Sequence, residues 1–78
     1  MRAPADLANR IIARGVYRSC GFGGVRKCEE PLSIAADTTL ASFVEKYRDA
    51  ELERNSDDEV VVVFGGHHTM AQMVLTLA

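Results

Sequence analysis

Two different periods of apolar and polar positions run along this chain. Between Leu40 and Ala50 the apolar residues Leu40, Phe43, Val44, Tyr47 and Ala50 recur at helical spacing. Glu45 with Arg48, and Glu51 with Arg54, lie three apart on the polar side. Asp37, Thr38 and Thr39 can each cap the start, and Asn55-Ser56-Asp57-Asp58 supplies turn chemistry at the end. The spacing predicts a helix from about Thr38 to Glu53. After it comes Glu59-Val60-Val61-Val62-Val63-Phe64, whose four β-branched valines favour a strand. An unbroken apolar run calls for cover on both faces and a central place in a sheet. Before the helix, Leu32-Ser33-Ile34 alternates as a half-buried strand does.

The flanks read less sharply. Pro4 suits a first helical position, Leu7, Ile11 and Ile12 share one stripe, and Gly15 is a natural stop, so a helix is predicted from about Pro4 to Arg14. Arg10 and Arg14 would then stand one turn apart. Gly21, Gly23 and Gly24 around Phe22 mark a loop, with Val16-Tyr17 and Val25 as the ends of a hairpin about it. The tail from His67 to Ala78 fits a helix through Met70, Met73, Val74 and Leu77, capped by Thr69. It also fits a strand that pairs back on the valine run across Gly65-Gly66-His67-His68-Thr69. Helix propensity favours the first.

The resulting expectation is one small α+β domain over residues 1–78, in the order helix, strand, helix, strand, then helix or strand. It divides into a basic N-terminal arm or helix at 1–28 and an α/β unit at 31–78. The two strands, joined only by a helix, would run parallel. Two strands make a thin sheet, and so short a chain buries little, so a partner chain is expected to complete it.

Charge sharpens that picture. The net charge is −2, yet residues 1–28 carry six basic groups against Asp6 alone, while residues 29–78 carry three basic and ten acidic groups. Arg10, Arg14, Arg18, Arg26 and Lys27 are therefore the candidate docking residues, for an acidic or phosphate-bearing partner surface. Nucleic acid is a poorer fit, given the acidic second half. No stretch approaches the roughly 20 apolar residues of a membrane span. No secretory signal is visible, so the expected location is inside the cell, cytoplasmic or organellar. The Arg-rich, acid-poor start also has the look of a mitochondrial transit segment.

Chemistry-bearing motifs are few. Gly21-Phe22-Gly23-Gly24 has the glycines of a phosphate loop, but not the strand before it or the helix after it. Cys20, Cys28, His67 and His68 lack metal-ligand spacing, so neither a metal nor a cofactor is expected. Gly65, Gly66, His67 and His68 follow the valine strand, where ligands gather in open α/β sheets. If the chain is an enzyme, His67 or His68 is the candidate base. Pro31 to Phe64 resembles the strand–helix–strand half of a cystathionine-synthase-type nucleotide-sensing module, with its Asp-Thr-Thr-Leu helix start and valine strand. That resemblance implies a ligand site near Thr38 and Thr39, and it covers under half of the chain. Leu32–Tyr47 and the Val-Val-Phe-Gly-Gly run also look like pieces of a ubiquitin-like β-grasp fold, which needs more strands than this reading offers. Neither resemblance assigns the chain to a family. The expected function is a non-catalytic interaction or accessory subunit, or a homo-oligomer, docking by its basic face. The alternative is a small-ligand or nucleotide sensor, or a small enzyme, using the Gly65–His68 turn.

Overall fold

The computed structural model describes residues 2–20, 27–65 and 70–78. They form a five-stranded sheet roofed on one side by turns and a single short helix. In chain order the elements are β1 (Ile12–Cys20), β2 (Lys27–Pro31), α1 (Leu40–Val44), β3 (Glu51–Arg54), β4 (Glu59–Gly65) and β5 (Met70–Leu77). The sheet order is β2-β1-β5-β4-β3, and every pairing is antiparallel.

The helix–strand–helix–strand expectation is overturned. The sheet has five strands from this chain alone, so no partner is needed to supply strands. Leu32–Ile34 is not a strand, and the parallel pair built on it does not exist. The helix expected at 4–14 is replaced by turns over residues 5–9, with Leu7 N–H donating to the Pro4 carbonyl and Arg10 N–H to that of Leu7. From Ile12 onward the chain is strand. Its β-branched residues and eight register pairs with β5 outweigh the helical spacing of a few apolar positions. The helix expected at 38–53 stops at Val44. Beyond it Tyr47 N–H bonds to the Val44 carbonyl and Ala50 N–H to that of Tyr47, so apolar residues return to the core every third position by turns. Glu51 to Arg54 then pairs along β4. The strand–helix–strand unit of a nucleotide-sensing module is therefore absent: the strands either side of α1, β2 and β3, occupy opposite edges of the sheet. The tail is the strand alternative, β5, and it is central. Val16 and Tyr17 do belong to a hairpin, the β1–β2 pair.

One face of the sheet holds the core. Val60 and Val62 of β4, Met73, Leu75 and Leu77 of β5 and Ile12 of β1 meet Leu7, Leu40, Phe43, Val44 and Ala50 from the roof. The roof is stitched to the N-terminal turns by Leu40 N–H to the Arg10 carbonyl and Ala41 N–H to the Ala8 carbonyl. Of the three candidate caps, Thr39 is the one used, its hydroxyl accepting from Ser42 N–H at 3.2 Å. Asp37 turns the chain just before it at φ 67°, a conformation that Asp tolerates better than most residues.

Two details of β1 set which side chains face where. First, Ile12 pairs with Leu77 but Arg14 pairs with Thr76, so Ala13 is an extra residue in a β-bulge. Ile12 and Gly15 thereby share the core face. Second, Gly15 is not a helix stop but a mid-strand crossing point. A Cβ there would lie 2.8 Å from Ile34 Cδ1, 3.0 Å from Leu32 Cδ1 and 3.2 Å from Leu75 Cδ2. The absent side chain is the space through which the roof leaves the β2 edge, and Leu32 N–H bonds to the Gly15 carbonyl.

Arg10 acts as a clasp. Its Nε donates to the Ala78 carbonyl at 2.9 Å, Nη1 to the Asp57 carbonyl at 3.2 Å and Nη2 to the Asp58 carboxylate at 3.0 Å. Arg54 works beside it, pairing with Asp6 at 2.7 Å and Asp57 at 3.1 Å. Those two carboxylates, Asp6 foremost, accept hydrogen bonds from the Arg54 guanidinium and raise its pKa further above its ordinary value. Arg10→Ala is expected to lower stability by about 1–2 kcal/mol, the range for charge-assisted hydrogen bonds at a partly exposed site. A urea titration checks this, and a midpoint equal to that of the unaltered chain would refute the clasp.

Candidate functional site

The face of the sheet opposite the core is open, with no described element packed over it. Because directly paired residues share a face, the register assigns its rows. The middle row reads Pro31 on β2, Val16 on β1, Val74 on β5, Val61 on β4 and Glu53 on β3. The next reads Glu29, Arg18, Gln72, Val63 and Glu51. On the other side of the middle row, Arg14, Thr76 and Glu59 lie in line across β1, β5 and β4. Of these residues, all but Pro31, Glu53, Val63 and Glu51 line a shallow concavity of about 330 Å³, in which Val61 is only 5% exposed.

The charge on this face is ordered. Arg14 and Arg18 stand on β1, while Glu59, Glu53 and Glu51 stand on β4 and β3, with a valine row between. Arg18 is held by Glu29 directly across the β1–β2 pair, Nε to Oε1 at 3.1 Å. Glu59 accepts from Asn55 Nδ2 at 3.0 Å. Among the described residues Arg14, Glu51 and Glu53 have no ion-pair partner. The sheet edges are unlike this face. β2 carries Glu29, Glu30 and Pro31, and β3 carries Glu51, Glu53 and Arg54. Charges and a terminal proline of this kind discourage strand addition.

The candidate docking residues separate in space. Arg14 and Arg18 share the open face, whereas Arg10 lies before β1 and is committed to the clasp on Ala78, Asp57 and Asp58. Lys27 is in register with Cys20 at the start of β2. Cys28 is opposite Ser19, so the two cysteines are not cross-strand partners. Gly65 ends β4 and pairs with Met70. Val25, Arg26, Gly66, His67, His68 and the Gly21–Gly24 cluster lie outside the described residues. Thr38 and Thr39 are spent locally, on the Ala35 carbonyl and the Ser42 amide.

Sequence reasoning missed Val16, Val61, Val74, Gln72, Thr76 and Glu59 as a joint surface. A signal was present: Arg14-x-Val16-x-Arg18, Gln72-x-Val74-x-Thr76 and Glu59-x-Val61-x-Val63 all have the period of a strand. Among the described residues, no group of three or more His, Cys, Asp or Glu side chains could hold a metal ion. No described helix is long and apolar enough to cross a membrane. Comparison with protein-family models, with curated proteins and with solved structures gave no match for this chain.

Proposed function

We propose that this chain is a protein-interaction module, an accessory subunit or self-associating protein, and that it docks through the open face of its sheet. The observation that carries the reading is a row of three valines laid across the three central strands and bordered by charged side chains, on a face that no described element covers, with Val16 and Val74 half-buried and Val61 sunk between its neighbours. Apolar area in the middle with a charged rim is the common anatomy of a docking surface. Arg14 and Arg18 belong to that rim. They direct the face toward a partner with acidic groups, and the acidic β3–β4 side directs it toward basic ones.

The test is a single reporter at the centre of the row, Val74→Cys, expressed at the natural level in the chain's own cells. Peptide-level mass spectrometry separates its thiol from Cys20 and Cys28. Maleimide labelling of position 74 is expected to be several-fold slower either in fresh extract or in the purified chain at several hundred micromolar than in the purified chain at about 1 µM, the first reporting a different partner and the second self-association. Equal rates under all three conditions would mean that the face stays uncovered, and the reading would fall.

A further inference from the structure

We infer that the partner of the open face is a second copy of this chain, related by a two-fold axis lying in the interface and parallel to the strands. This rests on the reading of the open face as the docking surface and names its occupant. The argument is the order of charges across the sheet. The face runs from basic on β1 through valine on β5 to acidic on β4 and β3. A copy turned about a dyad along the strands places its β5 over β5 and exchanges left for right, so its acidic strands cover the basic one. Val74 then meets Val74 of the copy, Val16 meets Val61, and Arg14 meets Glu59, each of the unlike contacts occurring twice. Glu29 comes over Glu51 at the rim, where Arg18 already balances its charge. Such self-complementarity is what an isologous interface needs.

The other dyad in the plane runs across the strands and is disfavoured by the same residues. It lays β1 over β1 and brings Arg14 toward Arg18 of the copy, and Glu53 toward Glu53. Like charges opposed in this way work against association. The strand-parallel arrangement is that of an aligned sheet sandwich, with inner faces interdigitating across about 10 Å. It gives Arg14 a countercharge that it lacks among the described residues of its own chain. The charged edges meanwhile guard against growth by strand addition. Five strands about 4.8 Å apart, paired over about 20 Å, give each copy a face of roughly 500 Å². The total of roughly 1,000 Å² is at the lower limit for a specific interface, so a reversible dimer is expected, with a dissociation constant on the order of tens of micromolar.

Sedimentation equilibrium on the full chain, from about 1 to about 500 µM, brackets that constant. Arg14→Glu and Glu59→Arg, each alone, are expected to weaken the dimer about tenfold or more by opposing like charges across the dyad. Mixed in equal amounts, the two variants should pair with each other. The first is then acidic at both positions and the second basic at both, so each cross-dyad contact again joins unlike charges. Circular dichroism melts of both variants check that each is folded. A wild-type chain that stays monomeric over this range overturns the inference, as does an Arg14→Glu variant that dimerises as well as the wild type, or a mixture that does not associate although both variants are folded. The Val74→Cys reporter keeps the two ideas apart. Slow labelling in extract with a monomeric purified chain would mean that the face docks a different protein, so the dimer fails and the interaction module stands.

Discussion

Leu75→Ala is expected to lower stability by about 3 kcal/mol, within the range for truncating a fully buried leucine. Leu75 has no exposed surface and sits on the central strand, registered with Gly15 on one side and Val60 on the other. Its side chain also fills the space below the roof, with Cδ2 near the position a Gly15 Cβ would take. A chain of this length has a total stability of about 4–12 kcal/mol by ordinary per-residue values, so the loss removes a large share. The control is its neighbour. Val74→Ala keeps the same backbone pairing but changes the open face, and should cost under about 1 kcal/mol in dilute solution, where exposed changes have small effects. Urea titrations of both variants, with equal m-values, give the comparison. Equal losses at high dilution would mean that the two faces of β5 are buried alike, against a core that lies on one side only.

Gly15→Val is expected to cost about 2–3 kcal/mol, at the upper end of what overpacking a closed core exacts. The first carbon of the new side chain already falls within 3.2 Å of three methyl groups, and the two beyond it have nowhere to go. Leu32 and Ile34 must lift, and with them the start of the roof. Gly15→Ala should be close to neutral. The atoms it meets are flexible side-chain ends, and alanine offsets the crowding by removing about 0.5–1 kcal/mol of glycine's backbone entropy. Thermal melts of the two variants, together with a Gly15→Val/Ile34→Ala double variant, check the mechanism. Recovery of part of the loss in the double variant identifies the Ile34 contact as the cause, and its absence would point elsewhere.

What the sequence disclosed is specific. The valine strand, its end at Gly65, the turn at 55–58, the cap before Leu40 and the chain reversal that follows Val16 and Tyr17 were all readable, because each rests on local chemistry. The helices were misread for a physical reason. Val44, Tyr47 and Ala50 do reach or border the core, but repeated three-residue turns give nearly the spacing of an α-helix over so few residues. Only pairing of residues 51–54 with β4, a contact made at a distance, ends the ambiguity. At the N-terminus the bulge spoils a plain count of two, since Ile12 and Gly15 face the same way although three apart. The open face stayed hidden for a related reason. Its charges come from strands far apart in the chain, and of Arg10 and Arg14, adjacent on an imagined helix, only Arg14 joins the open face, while Arg10 is bonded to Ala78, Asp57 and Asp58.

Ala13 makes β1 one link longer than its partner requires. Dropping that link would straighten the ladder while every neighbour kept its side, since Ile12 and Arg14 would then simply alternate. Shortening β1 anywhere between Arg14 and Ser19 would instead draw the slack into the ladder and turn some side chains over. The strand is thus expected to accept the loss of a residue at its bulge, where Ala13 is exposed.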